Sequence, residues 1–491
     1  MSPSGILKTL GLLEKDFKKI QVNFSGKRWS KSILPQHHSS AINLLQYLAL
    51  RKKNISHLQN DLHSLGLSSL ASAESHIHRQ VQEVMMRLGQ GFKKKELNTC
   101  TIQSARKKLA DQTNKLLGTT NPANHIAIMV TLDSELHLDK QSIAGMMKRG
   151  MQIARINCAH DNAEVWLRMI EQVQKAEKET GLSCKIYMDL AGPKFRLRLF
   201  ENREEQPKID IHIGDQYLLT DDLHLVQQEG ITFYCQIPGI TGWLKKGNFV
   251  MIDDGIIEAI VTGTSMSGTE FTITRISGKP QLKSGKGINF PNTAIPMASL
   301  TKDDIKSLEF IREHADLVGY SFVRHTEDLT ELHKYLYSKK AEKLPNLIIK
   351  IETPESVENL PYLLLYAMRY PFFGVMIARG DLAVEIGFER MSEIQEEILW
   401  ICEAAHTPVI WATQVLEQLN KTGIAARSEI TDTYKAAQAE CIMINKGKYT
   451  HLVLDTLKDI AKRSHRHHLK KRYEMQALSI AKKFSDKKIE I

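Results

Sequence analysis

Lys350, Glu352 and Asp381 are the residues whose types and spacing most directly offer chemistry. Lys350 and Glu352 close one apolar run, and Asp381 follows Arg379 and Gly380 at the end of another. Two carboxylates at neighbouring ends of such runs can share one hard cation. With waters and substrate oxygens completing its shell, that cation is Mg²⁺, or Mn²⁺ in its place. Gly380 beside Asp381 lets backbone N–H groups approach an anionic ligand closely. Lys350 next to the metal sets a positive charge against a transferring phosphoryl group. Other apolar runs also end in polar groups: Arg155, Asn157 and His160, then Asp189, Ser321, and the pair Thr413 and Gln414. From chemistry alone the set spells a Mg²⁺-dependent site for a small carboxylate or phosphate. Each member also has a plainer reading. Lys350 with Glu352 is what a structural buried pair looks like, an Arg-Gly-Asp triplet arises by chance, and His160 alone decides nothing. Joint placement at one end of one sheet is what separates the readings.

The elements that must place these groups follow from periodicity. After residue 121, short β-branched runs alternate with amphipathic helical stretches. The runs span 125–131, 152–158, 185–190, 316–323, 347–352, 373–379, 409–414 and 441–446. Each is largely apolar on both faces, and helical stretches such as 163–180, 392–405 and 429–438 lie between most of them. This pattern predicts an α/β fold, a closed TIM (β/α)8 barrel rather than an open sheet. In such a barrel, polar residues at the C-terminal strand ends are the functional candidates. About 120 residues separate the third and fourth runs, and 195–285 within them alternates like short strands with turns. Examples are 248–252, 258–261 and 271–276, with Asp253-Asp254-Gly255 reading as a hairpin turn rather than a metal site. A small β-barrel domain inserted at that end overhangs the site as a lid. Residues 1–120 read as helical, from apolar spacing over 41–48 and at Val81, Val84, Met85 and Leu88. The segment 118–122 reads as a linker. The expected organisation is a helical region 1–120, a barrel in two parts (121–194 and 286–464), a β lid 195–285 and a basic tail 465–491.

The chain has 491 residues, 42% of them hydrophobic and 25% charged, which is globular composition and too long for one core. No apolar stretch reaches the ~18 residues of a membrane-spanning helix. The first twenty residues carry Lys8, Glu14, Lys15, Asp16, Lys18 and Lys19 without a signal-type apolar block, which argues against secretion. Six scattered cysteines form no CxxC pair, so neither a disulfide framework nor a zinc site is expected. A reducing, cytoplasmic setting is expected. The net charge of +10 is uneven: 1–120 hold 19 Lys/Arg against 7 Asp/Glu, 461–491 hold 10 against 3, and 121–460 hold 37 against 46. Basic ends suit an anionic partner such as nucleic acid, a lipid surface or an acidic protein. They equally suit solvated helix faces docking on the acidic body. No nucleic-acid-binding motif accompanies the charge, which favours the second reading.

Five segments, in order, resemble motifs of the pyruvate kinase family. They are Arg155-Ile156-Asn157-Cys158-Ala159-His160, Met188-Asp189-Leu190-Ala191-Gly192-Pro193-Lys194, Lys286-Gly287-Ile288-Asn289-Phe290-Pro291, Ile349-Lys350-Ile351-Glu352, and the run from Ile377 through Arg379-Gly380-Asp381 to Ile386. Two more, Ala412-Thr413-Gln414-Val415-Leu416-Glu417 and Arg427-Ser428-Glu429-Ile430-Thr431-Asp432, extend the likeness over roughly 121–462. The resemblance implies that Glu352 and Asp381 hold the divalent metal bridging phosphoenolpyruvate or pyruvate. It implies that backbone N–H groups around Ala378, Arg379, Gly380 and Asp381 receive the carboxylate. Lys350 is implied to stabilise the phosphoryl group between enolate and ADP, and Thr413 to belong to the proton relay. Arg155, Ser321 and Arg196 are implied at phosphates, with Asn157, His160 and Lys286 on the nucleotide side. The implied reaction is phosphoenolpyruvate, ADP and a proton giving pyruvate and ATP, in a homo-oligomer.

Departures from the family pattern carry expectations of their own. Family members hold a potassium ion with Asn, Ser, Asp and Thr; here Asn157 and Asp189 match, but the others are Ala159 and Leu190. A Glu of the same stretch is Lys194. A lysine ammonium is a monovalent cation on a flexible stem. Lys194, together with Asp189, is therefore expected to replace the potassium ion, so that K⁺ is not required. The first strand's usual Thr-Ile-Gly-Pro-x-Ser reads Thr131-Leu132-Asp133-Ser134, and the loop after strand eight reads Asn445-Lys446-Gly447-Lys448-Tyr449-Thr450. Both bear on nucleotide identity and rate. The likeness is to the stand-alone bacterial and plant-like branch, without a C-terminal effector domain. Two other readings stay open: an enolate-forming carbon–carbon lyase on the same barrel, which needs neither Lys350 nor a lid, and a non-catalytic binding protein whose basic ends do the work.

Overall fold

Eight apolar runs close into one parallel barrel: β1 Ala127–Thr131, β2 Ile153–Asn157, β3 Lys185–Asp189, β4 Leu317–Tyr320, β5 Asn346–Ile351, β6 Phe373–Ala378, β7 Val409–Ala412 and β8 Cys441–Ile444. The computed structural model describes residues 2–118, 126–133, 142–237, 239–291, 293, 295–336, 344–464 and 479–484. Every residue of β1, β4, β6, β7 and β8 is buried. That follows from strands covered by helices outside and filled by side chains inside. The strands stop earlier than the apolar runs predict. β4 ends at Tyr320 and Phe322 takes φ +55°, while Thr413 and Gln414 take φ +67° and +55°. Directly after β6 the chain enters a helix, Arg379–Ile386. The polar residues at the strand ends have thus left the ladder and turn across the barrel mouth.

Local chemistry sets the flanking helices. Asn162 caps Ala163–Thr180 through two backbone N–H groups, and Gly181 ends it at φ +69°. Thr353 and Ser356 form the capping box of Pro354–Ala367, with Pro354 in the first turn. That helix begins two residues after Glu352.

Between β3 and β4 the chain builds a second, mostly antiparallel sheet. Its long hairpin pairs Ile257–Ser265 with Gly268–Ile276, and its own core contains Leu199, Phe233, Val250 and Phe271. Asp253, Asp254 and Gly255 form the turn into that hairpin, all with positive φ.

Residues 2–118 are helical, with principal helices Pro3–Gly26, His38–Arg51, Ile77–Arg87 and Ile102–Leu117. Their apolar faces, including Phe17, Leu44, Tyr47 and Val81, share one core with the barrel's outer helices. Asn43 Nδ2 donates to the Ala404 carbonyl at 2.8 Å, and Ser40 Oγ lies 2.8 Å from His406 Nδ1. Leu116 and Leu117 join Met129, Tyr187, Ile348 and Met376 inside the barrel. Leu116 reaches Gly374 at the start of β6, so this helix plugs the floor opposite the strand C-termini. At the other terminus, the Phe484 ring packs at a tilt 4.6 Å from Tyr362, and its carbonyl accepts from Lys52 Nζ at 2.5 Å. Residues 479–484 of the basic tail therefore dock on the same molecule; the remainder of the tail lies outside the described residues. No described helix is long and apolar enough to cross a membrane.

Candidate active site

Strand register brings the first group of candidates together. Arg155 lies opposite Tyr187, and Asn157 opposite Asp189. The two-residue strand period puts Tyr187 and Asp189 on one face, and Tyr187 Oη donates to Asp189 Oδ1 at 2.9 Å. Arg155 donates twice to Asp189 Oδ2, from Nε at 3.1 Å and Nη2 at 2.6 Å, and once to Thr131 Oγ1 at 3.0 Å. From β5, Lys350 Nζ lies 3.2 Å from Asp189 Oδ1 and 2.8 Å from Glu352 Oε1, and donates to Ser321 Oγ at 2.7 Å. Two cations and two carboxylates make one buried cluster beneath the barrel mouth.

Burial opposes every charge in that cluster, and the partners decide each outcome. Burial pushes the Asp189 carboxyl up, but Lys350 and Arg155 outweigh it and hold it below the usual range. Burial works against the Lys350 ammonium, yet Asp189 and Glu352 raise it above its ordinary value. Glu352 goes the other way: burial raises it, Lys350 only partly offsets that, and Asp381 pushes it further up. A carboxyl short of positive charge, facing a second carboxylate, fits a divalent cation. Among the described residues no group of three or more His, Cys, Asp or Glu converges. Two carboxylates would be the protein's share, and a shell completed by water and substrate oxygens is the Mg²⁺ pattern.

The helix Arg379–Ile386 supplies the second component. Its N-cap, Ala378, offers no side-chain cap, so the first N–H groups are left for another acceptor. The Arg379 side chain turns away from the mouth. It donates to the Ala412 carbonyl at 3.1 Å, the Thr413 carbonyl at 2.5 Å and Asp432 Oδ1 at 2.6 Å, and lies over Trp411. What remains for a ligand from Arg379 is backbone N–H, with the positive end of the helix dipole behind it. A Cβ on Gly380 would sit 3.6 Å from Thr413 Oγ1, so the two face each other. Thr413 carries a positive φ that β-branched residues disfavour, and its buried Oγ1 has no hydrogen-bond partner among the described residues.

A cleft of about 190 Å³ joins these parts, lined by Arg155, Asn157, His160, Asp189, Lys194, Arg196, Lys350, Glu352, Ala378, Gly380, Asp381 and Thr413. The structure places three of the expected site residues as follows. Ser321 is not among the residues lining the cleft: it is buried, donates to the Leu190 carbonyl at 2.6 Å and receives Lys350, which it helps to hold. Lys286 stands away from the lining, on the insert, where Asp253 holds it at 2.7 Å. Lys194 lines the cleft but forms no ion pair with Asp189, whose charge Arg155 and Lys350 already compensate. Its Nζ instead lies 2.9 Å from Asp381 Oδ1 and 3.7 Å from Asp254 Oδ1. Burial works against the Lys194 ammonium, and Asp381 and Asp254 more than restore it.

At the outer rim the charge is positive. Burial, then Arg196 and Lys446, depress the His160 imidazolium. Lys446 pairs with Asp133 at 3.2 Å, tying together the two loops whose sequences depart from the family pattern; Ser134 lies outside the described residues. Sequence reasoning missed Tyr187, Gly319 and Asp254. Tyr187 was reachable, two residues before Asp189 on the same strand face. Gly319 lies opposite Asp189, and a Cβ there would collide with Tyr187 and Asp189, a fact that only the barrel register reveals. Asp254 was read as part of a turn, and nothing local signals its reach to Lys194.

Comparison with known proteins agrees with this architecture. The family model "Pyruvate kinase, barrel domain" matches residues 113–451. A pyruvate kinase of Dictyostelium discoideum is 27% identical over 334 residues, covering 66% of this chain and 63% of that protein. A Bacillus licheniformis pyruvate kinase is 28% identical over 331 residues, covering 66% and 54%, and pyruvate kinase 1 of Trypanosoma brucei brucei is 30% identical over 323 residues, covering 64% and 62%. The chain thus spans between 54% and 63% of the length of these three relatives.

Proposed function

Since the chain belongs to the pyruvate kinase family, we propose that it transfers the phosphoryl group of phosphoenolpyruvate to ADP, releasing pyruvate. The observation that carries this reading is the meeting of Lys350, Glu352, Asp381, Thr413 and an uncapped helix N-terminus in one cleft. Mg²⁺, held by Glu352 and Asp381, would polarise substrate oxygens and offset the charge of the two anions. The N–H groups of Arg379, Gly380 and Asp381 receive the substrate carboxylate. Lys350, fixed by Asp189 and Ser321, sets its ammonium against the phosphoryl group in flight and costs no reorganisation at that moment. The Thr413 hydroxyl, without a hydrogen-bond partner among the described residues, stands on the route by which a proton reaches the enolate carbon. Arg196, His160 and Lys446 supply positive and hydrogen-bonding groups on the nucleotide side. The insert over 195–285 acts as a lid, and the adjoining Lys286, paired with Asp253 of the insert, moves with it on the nucleotide side. Lys194 keeps a monovalent charge in the cleft, so K⁺ is not required.

A coupled assay with phosphoenolpyruvate, ADP and Mg²⁺ tests the reading. Turnover by the wild type is expected, with Lys350→Met slower by roughly 10²–10³-fold. Absence of wild-type turnover with every nucleoside diphosphate would remove it. Activity in KCl should match that in a tetramethylammonium salt; several-fold activation by KCl would remove the role given to Lys194.

A further inference from the structure

Lys194 stands between two carboxylates on two different bodies. Its Nζ lies 2.9 Å from Asp381 on the barrel and 3.7 Å from Asp254 on the insert. We propose that Asp254 is a positioning residue which, acting through Lys194, couples metal binding at Glu352 and Asp381 to seating of the β insert. This rests on the metal assignment made above.

A divalent cation on Asp381 places two positive charges beside the Lys194 ammonium. Lys350 cannot yield to that field, because Asp189, Glu352 and Ser321 hold it in a buried cage. Lys194 can. Its side chain is 30% exposed, on a flexible stem, with a second acceptor already within reach. As the metal takes Asp381, Lys194 leaves it and closes on Asp254.

The turn carrying Asp254 is built to transmit that shift. Asp253, Asp254 and Gly255 have φ of +55°, +55° and +82°, and Lys286 holds Asp253 from within the insert. Backbone in that sparse region persists only where its surroundings fix it, which ties the turn to the insert. The turn also touches the barrel near the metal site: a Cβ on Gly255 would lie 3.3 Å from Phe388 and 3.7 Å from Val384, in the helix that starts at Arg379 and just beyond it. Because linkage is reciprocal, whatever the metal contributes to seating the insert, the seated insert returns to metal affinity.

Mn²⁺ binding to the full chain without substrate, measured by calorimetry, tests this on wild type, Asp254→Asn, Lys194→Met and the double variant. Asp254→Asn should weaken Mn²⁺ roughly five-fold in the wild-type background and leave it unchanged in the Lys194→Met background. Mn²⁺ should slow amide exchange at 253–255 in the wild type and in neither single variant. An equal shift in both backgrounds, or none in the first, overturns the relay while the kinase reading stands. Glu352→Gln marks the metal site: if Mn²⁺ affinity survives it, the metal assignment fails and takes the relay with it.

Discussion

Replacing Asp189 with asparagine asks whether charge holds the cluster beneath the site together. The substitution keeps the side chain's shape and removes one charge. In the wild type, Arg155 and Lys350 are balanced by Asp189 and Glu352. Asparagine offers one acceptor oxygen where Arg155 brings two N–H groups, Tyr187 a hydroxyl and Lys350 an ammonium. The two cations stay buried, facing Glu352 alone, and burial opposes the ionisation of Glu352. Removing one partner of a buried pair costs about 3–5 kcal/mol, whereas a surface pair is worth about 0–1 kcal/mol. With a side chain 1% exposed, Asp189 belongs to the first class. Asp381, whose partner Lys194 is 30% exposed, lies near the second. Asp189→Asn should therefore lose about 3–5 kcal/mol at pH 7 and Asp381→Asn about 0–1 kcal/mol. Urea unfolding followed by circular dichroism gives both values. Equal losses, or a loss under about 1 kcal/mol for Asp189→Asn, would refute the reasoning. The sign with pH follows from a folded carboxyl held below its ordinary value of 3.8. The stabilisation is complete above that value and is lost as pH falls through the lower folded value, so the gap between wild type and variant closes in acid.

Three further outcomes rest on separate features. Burial pushes the Glu385 carboxyl up to about 7, although Asn289 donates to it at 2.8 Å. Its cost to stability appears as pH rises from the unfolded value through 7, so Glu385→Gln should stabilise by about 1–3 kcal/mol at pH 8 and be neutral at pH 4, as thermal unfolding at the two pH values can show. Gly319→Ala should destabilise by about 1–3 kcal/mol, because its methyl group needs the space of Tyr187 and Asp189; a melting point equal to wild type contradicts the packing described. Leu116→Ala should cost about 2–5 kcal/mol although it lies outside the barrel strands, since Leu116 is fully buried in the barrel floor; a urea midpoint within error of wild type argues against the plug.

The barrel was legible because its strands advertise themselves: β-branched, buried on both faces and punctuated by helices with ordinary caps. Their C-terminal limits were not. Arg379, Thr413 and Gln414 read as strand continuations, yet one starts a helix and two adopt left-handed backbone. Apolar periodicity carries no information about where a chain leaves its ladder to present N–H groups or a hydroxyl. Residue types at the mouth were legible for the same reason the fold was: a lysine or carboxylate ending an apolar strand is costly unless it is paired or used. Pairing itself was not legible. Lys194 with Asp381, Lys286 with Asp253 and Lys446 with Asp133 join residues from distant stretches, and only closure of the barrel and seating of the insert decide them.

The cations at this mouth divide by what holds them, and the division bears on the chemistry. Arg155 and Lys350, with side chains only 12% and 10% exposed, are each tied to Asp189 from a different strand, and neither can move without breaking the cluster. On the proposed reading, fixed charge of this kind would serve a group reacting in place beside the helix N-terminus. Lys194, Lys286 and Lys446 are partly exposed, and each has a carboxylate on a turn or loop within reach: Asp254, Asp253 and Asp133. Movable charge of this kind suits a ligand that must arrive and leave, because an incoming phosphate can replace the carboxylate at little cost. The same logic separates the carboxylates: Asp189 is compensated by two cations and is structural, whereas Glu352 meets Lys350 and the Phe322 N–H, Asp381 meets Lys194, and both line the cleft. A barrel end that fixes its central cations and leaves its outer ones exchangeable fits the proposed reading of two anionic ligands, one set against the fixed charges and one met by the movable ones.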